Sequence, residues 1–114
     1  ASNALNYYFG YNEVNPHTVT ALPYSMTAAD GAVSLSGVTG AGNITLPDCT
    51  GQSGAVYRIS NPQSAYAITV SPLNANQLIN GIAFGTPVTV PANGTLLLRD
   101  VPNPKTVSGC HWEM

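Results

Sequence analysis

Charged side chains are scarce in this chain, and their scarcity excludes several functions. Only three Lys and Arg and five Asp and Glu occur among 114 residues, so charged residues make up 7%, against roughly 25% in a typical soluble domain. Nucleic-acid recognition needs clustered cations, and Arg58, Arg99 and Lys105 are scattered along the sequence. We therefore expect no nucleic-acid partner. Because surface charge keeps monomers apart, the scarcity also predicts that much of the surface contacts other chains.

Long apolar runs and helical patterns are missing as well. No apolar stretch approaches the roughly 20 residues that cross a bilayer, so we expect no membrane partner. No segment repeats apolar residues at the spacing of an amphipathic helix. Eleven Gly and nine Pro interrupt the chain along its whole length. A helical fold is therefore excluded.

Short segments that alternate apolar and polar residues are abundant, and they predict β-strands. The predicted strands cover residues 18–22, 32–35, 43–46, 55–60, 67–71, 87–90, 95–99 and 107–112, with a hairpin of 77–79 and 82–84 around Asn80 and Gly81. The two turn residues readily adopt positive φ, which favours a tight hairpin. We predict a small all-β domain over residues 18–114, as an antiparallel sandwich, jelly roll or barrel of about eight short strands.

Residues 1–17 lack clean alternation and are predicted to form an extended N-terminal arm. The arm carries the apolar and aromatic side chains Leu5, Tyr7, Tyr8, Phe9 and Tyr11. Two interpretations stay open: these side chains cover one end of the chain's own core, or they dock on a partner, since Tyr and Phe commonly anchor interfaces.

No arrangement of residues predicts catalysis. The carboxylates besides the near-terminal Glu113 are Glu13, Asp30, Asp48 and Asp100. A glycosidase needs two of them at a fixed separation, and none of these is spaced as a pair. Cys110 and His111 are adjacent, but adjacent side chains diverge on a strand. We expect no catalytic residue and therefore no enzyme.

The two cysteines leave two states open. Cys49 and Cys110 either form a disulfide that closes a loop of about 60 residues or remain as two partly buried thiols. Metal sites usually show paired ligand spacings, and the candidates Cys49, Cys110, His17, His111 and Asp48 contain no CxxC or HxH pair. We predict no metal site and no cofactor.

Six segments follow one another in an order found in a known group of proteins. They are residues 43–47 (NITLP), 56–61 (VYRISN), 68–72 (ITVSP), 78–81 (LING), 94–100 (GTLLLRD) and Trp112. In this order they resemble β-structured domains in tail fibres, tailspikes and head decoration or head-fibre proteins of tailed bacteriophages. The start of the chain and the cysteine pair fall outside the pattern.

This resemblance implies a structural role in a virion. It predicts a capsid decoration, head-fibre or tail-fibre subunit that forms a homotrimer and docks on other virion proteins of the capsid or tail. Such a protein is assembled in the bacterial cytoplasm and is extracellular afterwards. The alternative is a carbohydrate- or receptor-binding module of a phage fibre or bacterial surface protein, with a surface glycan as its partner.

Overall fold

A computed structural model describes residues 17–51, 54–63 and 65–114, which form nine strands. The strands are β1 (His17–Thr18), β2 (Tyr24–Ser25), β3 (Ala32–Ser34), β4 (Asn43–Thr45), β5 (Val56–Asn61), β6 (Ile68–Ser71), β7 (Val88–Val90), β8 (Gly94–Pro102) and β9 (Cys110–Glu113). The described part of the chain contains no helix, and hence no helix that could cross a membrane. The prediction of an all-β domain is confirmed.

The strands form two sheets, and the chain passes from one to the other as it proceeds. One sheet has the order β1-β3-β5-β8-β9 and the other the order β2-β4-β6-β7. From β1 to β6 each strand enters the sheet that its predecessor did not, so neighbours within a sheet run parallel, as β3 and β5 do through Val33 and Ile59. From β7 onwards the added strands pair antiparallel.

This winding corrects the predicted antiparallel architecture. The sheets are mixed, because β1, β3 and β5 pair parallel in one sheet and β2, β4 and β6 pair parallel in the other. They do not close into a barrel, since each strand order has two ends. Parallel neighbours require a crossover between them, and here a strand of the opposite sheet fills that crossover.

The core lies between the sheets and follows the alternation of the sequence. On β5, Tyr57, Ile59 and Asn61 are buried while the residues between them are partly exposed. On β6, Ile68 and Val70 are buried in the same way. Side chains of a strand alternate between its two faces, so the inward faces of the two sheets enclose one apolar cluster. Its largest fully buried members are Trp112, Tyr57, Leu35, Ile44, Leu46, Ile59, Ile68, Ile79 and Leu98.

The predicted hairpin around Asn80 and Gly81 does not form. The turn is present, because both residues have positive φ, 51° and 72°. The flanking residues pair elsewhere, however: Trp112 donates its backbone N–H to the Leu78 carbonyl (2.9 Å), and Asn80 donates to the Trp112 carbonyl (2.8 Å). The segment before the turn therefore extends the edge of the sheet at β9.

Strand lengths near the start of the domain also differ from the prediction. β1 begins at His17, the residue with which the predicted arm ends, and it stops at Thr18. The segment predicted to continue to residue 22 contains no further strand, and β2 follows after Pro23. Pro23 cannot donate a backbone N–H to a ladder. The chain therefore forms two short strands here, β1 and β2.

Candidate functional site

A disulfide joins the two sheets at one end of the molecule. Cys49 lies in the loop after β4, and Cys110 is the first residue of β9. The two cysteines are bonded, their Cα atoms lie 6.0 Å apart, and both are buried. Because they are 61 residues apart in sequence, a chain-entropy estimate of the stabilisation is about 4 kcal/mol.

The buried side chain of Gln77 holds the Cys49 loop in place. Its Oε1 accepts the backbone N–H of Cys49 (2.9 Å), and its Nε2 donates to Asp48 Oδ1 (2.9 Å). Asp48 Oδ1 also accepts the backbone N–H and the hydroxyl of Thr50 (2.9 and 2.8 Å). These hydrogen bonds, that of the Thr50 backbone first, lower the pKa of Asp48. The loop is thus fixed by a polar network rather than by packing alone.

Asp100 points into the core beside the disulfide. It shares the inward face of β8 with Leu98 and lies opposite Trp112 in the β8–β9 register. The side chain is fully buried, and neither carboxylate oxygen has a hydrogen-bond partner. Burial, and after it the negative charge of Asp48, raises the pKa of Asp100 to about 6, while His111 acts in the opposite direction.

These three groups converge on one point. The Sγ atoms of Cys49 and Cys110 and a carboxylate oxygen of Asp100 all lie within 4.8 Å of one another. Trp112 lies opposite Asp100 in the register of β8 and β9. Its ring packs edge-on against Tyr57 at 5.3 Å between centroids, and its Nε1 has no hydrogen-bond partner. We call the group Cys49, Asp100, Cys110 and Trp112 the disulfide corner.

The sequence did not lead us to predict that Asp100 lies beside the two cysteines. The predicted strand stopped at Arg99, whereas β8 continues to Pro102. The signal was the spacing of Leu96, Leu98 and Asp100, which places the carboxylate on the apolar face of an extended strand. No sequence spacing links Asp100 to either cysteine.

The outward face of β9 carries a separate charged group. His111 Nε2 and Glu113 Oε2 lie 2.8 Å apart, and Arg99 Nη2 approaches Glu113 Oε1 at 3.5 Å. The hydrogen bond from His111 is the main reason why the pKa of Glu113 is lowered. Cys110 is buried and bonded to Cys49, whereas His111 lies on the other face of the strand.

A cleft of about 390 Å³ opens next to the disulfide corner. Its lining combines amides, a hydroxyl and two basic groups with small apolar surfaces: Ala75, Asn76, Leu78, Gly81, Asn103, Lys105, Thr106, Val107 and His111. Val107, which also lines the cleft, is 88% exposed. The cleft thus offers polar groups that could orient a ligand.

The opposite end of the molecule is formed by β1 and β2. Each is the outermost strand of its sheet, has two residues, and pairs with only one neighbour among the described strands. The backbone N–H of Val19 donates to Ser34 in β3, and that of Met26 donates to Thr45 in β4. Successive amides of a strand point to opposite sides, so Thr18 and Ser25 direct theirs to the outer edge. We call β1 and β2 the open end.

The other residues singled out in the sequence are dispersed. Asp30 Oδ2 accepts the Tyr24 hydroxyl (2.6 Å) and the Thr27 backbone N–H (3.0 Å). His17 stacks on Tyr24 at 5.4 Å and contributes to no metal-ligating group among the described residues. Glu13 and the arm residues Leu5, Tyr7, Tyr8, Phe9 and Tyr11 lie outside the described part of the chain.

Comparison of the chain with protein families, with curated proteins and with solved structures finds no match in any of the three.

Proposed function

We propose that this chain is a non-enzymatic structural protein of a bacteriophage virion, a capsid decoration, head-fibre or tail-fibre subunit that forms a homotrimer and docks on the particle. The observation that carries the proposal is the open end. Both sheets finish there in short parallel strands whose outer amides, at Thr18 and Ser25, face away from the domain. Such edges are templates for pairing with another chain.

The rest of the molecule suits permanent assembly. The opposite end is tied by the disulfide between Cys49 and Cys110, which would remain oxidised outside a cell. With only 7% charged residues, the surface has little of the charge that keeps proteins monomeric. Contacts with other chains would cover part of it.

The arm is the second element of the proposal. Its side chains Leu5, Tyr7, Tyr8, Phe9 and Tyr11 are of the kind that anchors interfaces, and the arm leads directly into β1. We assign it the contact with the capsid or tail. Deleting residues 1–16 should abolish attachment to the particle and leave the β-domain folded, and attachment that persists would overturn this assignment.

The solution mass of the purified chain, measured by light scattering, tests the proposal. One chain has a mass of 11.8 kDa, and we expect three times that value. Thr18→Pro with Ser25→Pro removes both outer amides without removing a described ladder bond, so it should shift the mass towards one chain. Thr18→Ala with Ser25→Ala keeps the amides and is the matched control. A wild-type monomer would contradict the proposal.

A second candidate function is a carbohydrate- or receptor-binding module, and the cleft beside β9 favours it. Asn76, Asn103 and Lys105 could donate hydrogen bonds to sugar hydroxyls or a carboxylate, and ligand sites commonly combine such groups with apolar surface. Tyr57 and Trp112 are buried, so neither ring is available to stack on a sugar. A glycan array probed with wild type and with Lys105→Ala tests this second function. Glycan binding by the wild type that the variant loses would make carbohydrate binding the preferred function.

A further inference from the structure

Three groups of the kind that bind metal ions meet in the disulfide corner. One of them, the Asp100 carboxylate, has no hydrogen-bond partner. The Sγ atoms of Cys49 and Cys110 and a carboxylate oxygen of Asp100 lie within 4.8 Å of one another, and all three residues are buried. Both oxygens of Asp100 lack a hydrogen-bond partner. Buried carboxylates in native proteins are nearly always paired or coordinate a metal, so this group calls for an explanation.

The charge around Asp100 favours a cation. Asp48 adds negative charge to its surroundings, and His111 is the basic group that acts on it. His111 itself lies on the outer face of β9, where its Nε2 contacts Glu113. When the disulfide is broken, two thiol groups join the carboxylate, and all three can ionise together only if a cation is bound between them.

We propose that the reduced form of this protein binds one Zn²⁺ through Cys49 Sγ, Cys110 Sγ and the Asp100 carboxylate, and that the disulfide and the zinc site are alternative states of the same corner. Two thiolates and a carboxylate match zinc, which accepts sulfur and oxygen ligands in a tetrahedral arrangement. The fourth position is left to an exogenous donor. The inference is independent of whether the domain belongs to a virion.

The conversion of the disulfide into the zinc site takes two steps. A dithiol reductant gives two electrons and two protons to the Cys49–Cys110 bond, which yields two thiols and the oxidised, disulfide form of the reductant. Zn²⁺ then forms two Zn–S bonds and displaces the two thiol protons to solvent, while the ionised Asp100 supplies the third ligand. Reoxidation by a disulfide or by oxygen releases the ion and restores the S–S bond.

The Cys49 and Cys110 side chains need to move little to pass from the disulfide to the zinc site. Two thiolates on one zinc lie about 3.8 Å apart, given Zn–S bonds of about 2.3 Å and tetrahedral angles. The Cα atoms of Cys49 and Cys110 are 6.0 Å apart, so rotation of the two side chains reaches this separation. The hydrogen bond from Cys49 N–H to Gln77 Oε1 (2.9 Å) holds the loop in position without using a sulfur atom. Zinc would therefore tie the two sheets together where reducing conditions remove the disulfide.

Cobalt titration of the full chain tests this inference, because Co²⁺ replaces Zn²⁺ and reports thiolate ligands through charge-transfer absorption. The chain is reduced with a phosphine under nitrogen and titrated with Co²⁺, then with Zn²⁺ to displace it. We expect one equivalent of Co²⁺ to give the sulfur-to-cobalt band and tetrahedral visible bands, and Zn²⁺ to abolish both. The oxidised chain should give neither.

Two variants identify the third ligand. Asp100→Asn keeps the shape of the side chain and removes the anionic oxygen, so the affinity for Co²⁺ should fall at least about tenfold. Asp48→Asn is the matched control, since Asp48 is next to Cys49 in sequence but lies outside the ligand group, and its Oδ1 is engaged by Thr50 and Gln77. Its affinity should stay within a few-fold of wild type. Equal affinity in Asp100→Asn and wild type would overturn the proposed site.

Folding of the reduced chain is followed by circular dichroism in the same samples. If the reduced chain unfolds without metal, we expect stoichiometric Zn²⁺ to restore the β spectrum, since binding to the folded state alone stabilises it. A reduced chain that stays folded and gives no cobalt band overturns the proposal. So does a reduced, unfolded chain that Zn²⁺ does not refold.

Discussion

The two ends of this domain are built differently. The closed end, around the disulfide corner, joins the sheets by a covalent bond and packs the largest side chain of the core, Trp112, edge-on against Tyr57. The open end consists of two strands of two residues each, with His17, Thr18 and Ser25 exposed. Burial of large apolar side chains is the main source of stability. We therefore expect changes to buried groups at the closed end to cost more stability than changes at the exposed strands of the open end.

Removing the Trp112 ring should have the largest effect at the closed end. Trp112→Ala deletes a fully buried side chain and leaves a cavity, so we expect the free energy of unfolding to fall by about 3–5 kcal/mol. Denaturant unfolding measures it. Leu97→Ala, at a half-exposed position on β8, is the control and should change stability by less than about 1 kcal/mol. An unchanged midpoint for Trp112→Ala would remove the proposed asymmetry between the ends.

Removing the disulfide should have the next largest effect. Cys49→Ala with Cys110→Ala reopens the loop of 61 residues, and we expect a loss of about 2–4 kcal/mol. Thermal unfolding of the double variant against the oxidised wild type, without metal, measures it. A loss below about 1 kcal/mol would mean that the polar network at Gln77 holds the closed end without the bond.

Asp100 should make the stability of the oxidised protein depend on pH. Its pKa is raised from 3.8 to about 6 in the folded state, so folding favours the protonated form. The resulting stabilisation is complete below about pH 4 and is lost as pH rises through 6, by on the order of 3 kcal/mol. Asp100→Asn should flatten this part of the profile and be the more stable form at pH 7. Identical profiles of stability against pH for the two proteins would contradict the raised pKa.

The smallest loss of stability is expected for a substitution at the open end. Tyr24→Phe removes the hydroxyl that donates to Asp30 Oδ2 at 2.6 Å, and we expect a loss of about 1–2 kcal/mol, because the acceptor is a carboxylate. The ring and its stacking on His17 are retained. Chemical denaturation measures the loss, and hydrogen exchange at β2 should increase more than at β9. Equal increases at both strands would show that the two ends unfold together.

The alternation of residues predicted most of the strands. Val56–Asn61 and Ile68–Ser71 lie within a residue of their predicted bounds, and their buried faces follow the expected period of two. The turn at Asn80 and Gly81 was predicted from residues that accept positive φ, and both adopt it. Such local signals are readable because they depend on the conformation of a few neighbouring residues.

Strand pairing was less accessible to sequence reasoning. The hairpin predicted around Asn80 is replaced by contacts of Leu78 and Asn80 with Trp112, which follows more than thirty residues later in the chain. A turn fixes the direction of the chain but not the partner of the strand that leads into it. Here the partner is β9, at Trp112.

The sequence by itself determined the all-β class, the alternating core positions and the low content of charged residues. These are properties of composition and of local period. Only the tertiary structure decided the parallel winding between two sheets and the meeting of Cys49, Asp100 and Cys110. The physical reason is that both depend on packing between residues far apart in the chain, whose relative positions are set by burial of the whole core rather than by any local conformational preference.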